Sequence, residues 1–245
     1  MTNNIVISLY DYTGEALLPW AKSGYECYAF DIQHELHVEQ SQYSHGYDRC
    51  VNYNGGGSIS YFYADLHDFD THRHIFNRFN GHKVVFGMAF PVCTDMAVSG
   101  AAHFKKKSKI DPDFQKKAVQ HAIDCADLFE DLGCPYFIEN PVSVLSTQWR
   151  KPDYCFHPYE YGGYIPEDES VHPRWPEYIA DRDAYPKKTC LWTGNGFTMP
   201  KPKPVDTPNG YSVQHLKLVG KSIRTKNIIS ATPRGFARAV MLANN

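Results

Sequence analysis

Over the first 145 residues, short apolar runs alternate with polar or helix-patterned stretches, and this alternation constrains the fold most. Ile5-Val6-Ile7-Ser8-Leu9-Tyr10, Tyr25-Glu26-Cys27-Tyr28-Ala29-Phe30, Ile59 to Ala64, Val84-Val85-Phe86-Gly87-Met88-Ala89-Phe90 and Tyr136-Phe137-Ile138 each read as a strand. Continuous apolar runs suit strands covered on both faces, the condition of a parallel sheet. Between them, Ala16, Leu17, Leu18, Trp20 and Ala21 give a helix stopped near Ser23-Gly24, and Thr71 to Phe79 a further one ending at Asn80-Gly81. The clearest helix is Asp113 to Leu132, where Phe114, Ala118, Ala122, Cys125, Ala126 and Phe129 fall near one stripe before Gly133. The expected fold class is α/β, a doubly wound, mostly parallel sheet with helices on both faces.

Such sheets bind ligands outside the carboxyl ends of their strands. Gly14 lies in the turn after the first strand, where it lets a ligand approach the backbone, and Asp31 ends the second, where it suits the two hydroxyls of a ribose. The G-x-G-x-x-G fingerprint is missing, since Gly14 is followed by Glu15 and Ala16. A pyrophosphate cofactor is therefore disfavoured, and a nucleoside without phosphates, such as that of S-adenosylmethionine, fits better. In that order Asp65-Leu66, after the third strand, would border the adenine.

The fourth strand ends in Pro91-Val92-Cys93-Thr94 and the fifth in Glu139-Asn140-Pro141. Singly, a Cys at a strand end is most often a small buried hydrophobe, and Glu-Asn-Pro an ordinary strand-to-turn ending. Together, behind a nucleoside pattern, a thiol and a carboxyl can attack and protonate one flat ring between them.

Composition agrees with an enzyme of one domain, or one with a small appendage: 245 residues, 42% hydrophobic, 14% aromatic, with 17 Tyr. No run approaches the length of a membrane helix, and Met1-Thr2-Asn3-Asn4 lacks a signal-peptide pattern. The net charge of −2 gives no global attraction to nucleic acid, so any DNA contact must come from local basic patches. The seven cysteines form no CxxC pair, which argues for reduced thiols in a cytoplasm. Cys155-Phe156-His157, or His45 near Cys50, lacks the paired spacing of structural zinc sites, and no metal is expected.

The motifs together resemble the cytosine-C5 DNA methyltransferase family, particularly its compact phage-type members. The resemblance runs through Asp11-Tyr12-Thr13-Gly14-Glu15-Ala16, Gly24-Tyr25-Glu26, Asp31-Ile32, Ala64-Asp65-Leu66, Pro91-Val92-Cys93 and Glu139-Asn140-Pro141. It implies a Rossmann-like sheet of the S-adenosylmethionine-dependent methyltransferase type. It implies Cys93 as nucleophile, Glu139 as the carboxyl that reads and protonates the base, and Asn140 as the residue holding the loop. Tyr12, Thr13, Gly14, Glu15, Asp31, Ile32, Asp65, Leu66 and Pro91 would form the cofactor site. Ser99, Lys105, Lys106 and Lys107 belong to a basic segment after the Cys that would close over the target nucleotide, with Gly100 as hinge. Lys188 and Thr189 stand where the family has a Gln-x-Arg-x-Arg motif, and would also meet substrate.

Departures are equally visible. Val92 replaces a Pro, Thr94 a Gln and Pro141 a Val of the family pattern, and residues 193 to 231 are too few for a large target-recognition domain. The expected organisation is a catalytic and cofactor-binding core over 1–145, then a Tyr/Pro-rich irregular insertion with exposed rings over 146–186 that could recognise substrate. The remaining strands and a C-terminal helix, capped by Thr232 and opened by Pro233, follow over 187–245. The expected reaction is methyl transfer from S-adenosylmethionine to C5 of cytosine in DNA through a Cys93 adduct, in a cytoplasm (the host's, if phage-encoded). A pyrimidine C5-modifying enzyme acting on a free nucleotide, and an inactive descendant that only binds nucleic acid or cofactor, are the alternatives.

Overall fold

The computed structural model describes residues 4–34, 47–212, 214–218 and 222–245. His45, weighed above as a zinc ligand, lies outside them.

Eight strands form one sheet among the described residues: β1 (Ile5–Leu9), β2 (Glu26–Asp31), β3 (Tyr47–Asn52), β4 (Ser58–Tyr63), β5 (Val84–Ala89), β6 (Tyr136–Pro141), β7 (Tyr154–Phe156) and β8 (Thr189–Gly194). Their order is β3-β4-β2-β1-β5-β6-β8-β7. The pairs β4·β2, β2·β1, β1·β5 and β5·β6 are parallel, and β3, β8 and β7 add antiparallel pairs at the two sides. The five parallel strands therefore run in the doubly wound order 3-2-1-4-5, and strand order reverses between β1 and β5. In sheets of this kind ligands bind outside the carboxyl ends of the strands at such a switch point.

Among the described residues the helices are α1 (Leu18–Lys22), α2 (Phe69–Phe79), α3 (Phe104–Lys107), α4 (Phe114–Asp131), α5 (Leu145–Gln148), α6 (Gln214–Lys217), α7 (Ile223–Ser230) and α8 (Arg234–Asn244). Period-two alternation splits β1 between two cores. Ile5, Ile7 and Leu9 join Ile75 and Phe79 of α2 and Val119, Ala122 and Phe129 of α4. Val6 faces the other way, with Trp20 and Ala21 of α1 and Phe236 and Val240 of α8. Helices thus cover both faces, and among the described residues no helix is long and apolar enough to cross a membrane.

Several elements depart from the sequence reading. β3 reads Tyr-Asp-Arg-Cys-Val-Asn and lacks an apolar run because it is an edge strand, with Arg49, Cys50, Val51 and Asn52 exposed. The strand expected from Tyr185 begins at Thr189, since Tyr185 instead fills a satellite cluster with Ile179, Ile228 and Ala231. Thr232 does not cap α8; Pro233 occupies the cap position, and the distant Asp183 carboxylate accepts the Gly235 N–H at 2.9 Å. A buried anion there also suits the helix dipole. Rings of the Tyr/Pro-rich segment are largely packed rather than exposed: Phe156 stacks on Phe236 at 3.9 Å between centroids, and Tyr161 meets the same ring edge-on.

Candidate active site

β5 and β6 end side by side, in register through Ala89 and Ile138. Past β5 the chain turns at Pro91-Val92 and enters a short 3-10 turn over Cys93–Asp95. Past Ile138, Glu139 and Asn140 continue β6. Asn140 is buried, and its Nδ2 donates to the Pro91 carbonyl at 2.9 Å, fastening one strand end to the other. The loop beyond Cys93 is then laced to the segment after β6 by Val98 N–H to Val142 O and Val144 N–H to Met96 O, both 3.0 Å.

Glu139 lines a cleft with Phe90, Phe156, Lys187, Thr189 and Pro233. Burial raises its carboxyl above the ordinary range, and the Lys187 charge opposes that shift. Cys93 feels the same neighbours. Burial and then the Glu139 charge push its thiol up, while Lys187 and Lys226 pull it down. The net shift is upward: low dielectric and a facing carboxylate both disfavour a thiolate. The group that moderates both is Lys187, whose Nζ donates to the Ile229 carbonyl at 2.9 Å.

Lys187 is the residue that sequence reasoning passed over in favour of its neighbour. Lys188 is exposed, whereas Thr189 is buried in the cleft and its hydroxyl donates to the Lys187 carbonyl at 3.2 Å. The pairing of Thr189 with Pro141 across β6 and β8 brings this stretch to Glu139. No local motif marks it, because the contact is set by sheet register between segments distant in sequence.

The basic segment is placed differently from expectation in part. Ser99, Lys105 and Lys106 are exposed near the Cys93 turn, in a 3-10 stretch (Val98–His103) and α3. Lys107 is committed: it pairs with Asp95 and its Nζ donates to the Thr94 carbonyl at 3.3 Å.

A second group of residues lies at the ends of β1, β2 and β4. Asp11, buried, accepts the Gly14 N–H at 2.8 Å, the Ser8 hydroxyl at 2.9 Å and the Thr13 hydroxyl at 3.3 Å, and so shapes the turn. Gly14 adopts φ of +70°, and a Cβ there would lie 2.4 Å from the Tyr61 hydroxyl oxygen, so only glycine fits. Asp31 is buried at the end of β2, accepts the Gln33 N–H at 2.7 Å, and has its carboxyl raised, chiefly by burial. His34, absent from the sequence reading, ties these loops: its ring nitrogens reach the Phe62 carbonyl at 2.9 Å and the Tyr12 carbonyl at 3.3 Å. Ile32 is exposed beside Asp31, and Pro91 is buried.

Asp65 accepts the His67 N–H at 3.0 Å. Leu66 points into the core rather than toward a ligand, while its carbonyl accepts the Tyr10 hydroxyl at 3.1 Å. Glu15 is buried, with Arg174 at 3.6 Å from one oxygen and no hydrogen-bond partner among the described residues for the other. Arg174 also donates to the Thr13 carbonyl at 3.1 Å, so the Tyr/Pro-rich segment reaches the glycine turn.

These charges give a testable ordering for Cys93. Its alkylation rate by iodoacetamide should rise with pH to an inflection above that of a free thiol. Glu139→Gln removes a charge that raises the thiol pKa and should move the inflection down; Lys187→Met removes one that lowers it and should move it up. Stopped-flow alkylation read by peptide mass tests this, and an inflection unmoved by both changes would contradict the arrangement.

The sequence matches no family profile and no curated protein. Among solved structures the chain is similar to a candidate DNA modification methyltransferase encoded within a prophage of E. coli, at 13% identity and a TM-score of 0.44. That match covers 90% of this chain and 56% of the other, so the chain spans little more than half of its neighbour's length. What can be said of function rests on the site's own residues.

Proposed function

We propose that the chain transfers a methyl group from S-adenosylmethionine to C5 of cytosine in DNA through a transient bond between Cys93 and C6 of the ring. The observation that carries this reading is the 2.9 Å hydrogen bond from Asn140 to the Pro91 carbonyl, which holds the thiol loop against the strand end bearing Glu139. Cofactor fit is supported by the buried Asp31 carboxyl for ribose hydroxyls and by the orphaned Glu15 oxygen, which suits an ammonium. When bound, S-adenosylmethionine supplies an electrophilic methyl group.

Cytosine C5 is too weak a nucleophile to take that group unaided, so the protein must first raise its electron density. The Cys93 sulfur does so by bonding to C6. Glu139, with its carboxyl pKa raised, shares its proton with ring N3 as negative charge develops there. Lys187 offsets the charge that Cys93 and Glu139 would otherwise hold together. After methylation the C5 proton leaves to a base and the C6–S bond breaks, which restores the ring and frees the thiol. A base stacked in a duplex cannot reach Cys93, so it must be flipped out.

A free nucleotide is the second reading, favoured by the net charge of −2 and by the commitment of Lys107 to Asp95. Methyl transfer to duplex, single strand and dCMP over a salt series separates the two. Binding through several phosphates weakens steeply with salt, whereas one phosphate gives a shallow slope. A DNA substrate with a steep slope is the expected result; preferred turnover of dCMP with little salt dependence would overturn it. Calorimetric titration with S-adenosylhomocysteine should show at least a roughly tenfold loss of affinity in Asp31→Ala, the scale of a charged hydrogen bond. Unchanged binding would remove Asp31 from the cofactor site.

A further inference from the structure

Cys155 and Cys190 are directly paired across the antiparallel β7–β8 ladder, with their sulfurs 3.3 Å apart. Both are free thiols, Cys155 exposed and Cys190 buried. Directly opposed residues of an antiparallel pair have Cα atoms roughly 4.5–5.5 Å apart, inside the separation that a disulfide spans. The other hydrogen bonds made by cysteine sulfurs among the described residues are to oxygen: Cys27 to Leu17 and Tyr25, Cys134 to Phe129, and Cys50 to Asn52 and Ser60. The sequence, with no CxxC spacing, gives no sign of this pair; the sheet creates it.

We propose that Cys155 and Cys190 form a reversible oxidation site, converted by a peroxide into a disulfide that closes the Tyr/Pro-rich segment between them into a covalent loop. Cys155 is the sulfur that peroxide reaches first, because it lies at the surface. Its thiolate attacks a peroxide oxygen, the O–O bond breaks, and the products are a sulfenic acid and an alcohol or water. The Cys190 sulfur then attacks the Cys155 sulfur, the S–O bond breaks, and hydroxide leaves with the Cys190 proton as water. Two thiols and one peroxide thus give one disulfide, one alcohol or water, and one further water; a dithiol reverses the change. Burial and the hydrogen bond to Cys155 push the Cys190 thiol up to about 12, so attack by Cys190 should speed up with rising pH.

The bond would sit beside the cleft. Cys190 pairs with Asn140 on the other side of β8, and Thr189 and Lys187 immediately precede it. Oxidation therefore fastens to the sheet edge the strand that delivers Lys187 and Thr189. The inference does not depend on the methyl-transfer reading.

The test treats the reduced, full-length protein with hydrogen peroxide, blocks remaining thiols by alkylation, and measures intact mass and peptide links. Expected are a loss of two hydrogens, a Cys155–Cys190 linked peptide, and a thermal midpoint raised by roughly 5–10 °C and restored by dithiothreitol. Cys155→Ser and Cys190→Ser should each abolish the linkage, whereas Cys93→Ser should leave it intact. Oxygen added to Cys155 without cross-linking would overturn the proposal. So would a link between other cysteines, or one that persists in Cys155→Ser.

Discussion

Cys93→Ser should lower methyl transfer on the order of 10⁴-fold or more while leaving the fold unchanged. A serine hydroxyl is far less acidic than a thiol, so almost none of it is anionic at neutral pH, and oxygen is the poorer nucleophile toward a ring carbon. The position tolerates the exchange structurally: Cys93 is half-buried in a one-turn 3-10 stretch whose backbone carbonyl, not its side chain, accepts the Met96 and Ala97 N–H groups. Unfolding free energy should therefore stay within about 0.5 kcal/mol of the parent, as for substitutions away from special features. Cofactor affinity should stay as well, since Asp31 and the glycine turn belong to other strand ends. A Cys93→Ser protein with full turnover would return Cys93 to the role of a small hydrophobe. Burial and the Glu139 charge push the Cys93 thiol up, so both disfavour its thiolate.

Gly87→Ala should destabilise the sheet strongly. A Cβ there would lie 2.3 Å from Cδ1 and 2.5 Å from Cε1 of Phe129, distances that no real contact adopts. Phe129 cannot retreat, because it is fully buried in α4 and its ring lies 5.6 Å from that of Tyr136. Either α4 shifts away from β5 or the ring leaves its rotamer, and overpacking of this kind costs about 3 kcal/mol. For a chain of this size that corresponds to a midpoint lowered by roughly 6–12 °C. Adding Phe129→Leu should recover part of the loss, because the two sites share one contact and their effects are not additive. Calorimetry on the four proteins of this cycle checks both statements, and simple additivity would mean that Gly87 matters for another reason.

The parallel core was legible because burial on both faces leaves uninterrupted apolar text, and the 3.6-residue stripe of Asp113 to Leu132 matches α4 within a residue at each end. Edge elements were not, for the converse reason. β3 is exposed along Arg49 to Asn52 and β7 is three residues long, so neither carries a readable period, and β7 takes its place by pairing with β8. At the site, Cys93, Glu139 and Asn140 stand at the ends of the two strands that the apolar runs mark out. Lys187, His34 and Arg174 required the third dimension: each acts through a carbonyl contributed by a segment far away in sequence. The sign of the Cys93 shift was also illegible. Its direction depends on burial and Glu139 outweighing Lys187 and Lys226, which the fold alone brings together.

The central claim is that Cys93 bonds to C6 of a cytosine ring, and trapping tests it most directly. Fluorine in place of the C5 hydrogen cannot leave as a proton does, so the C6–S bond persists once C5 has received its methyl group. The native protein would be incubated with S-adenosylmethionine and a 5-fluorocytosine substrate offered as duplex, as single strand and as the free nucleotide, then denatured and weighed. Expected is a denaturation-resistant adduct, with the modified nucleotide on the peptide bearing Cys93, absent without cofactor and absent in Cys93→Ser. Methyl transfer to an exocyclic amine with no adduct on any of the three substrates would contradict it.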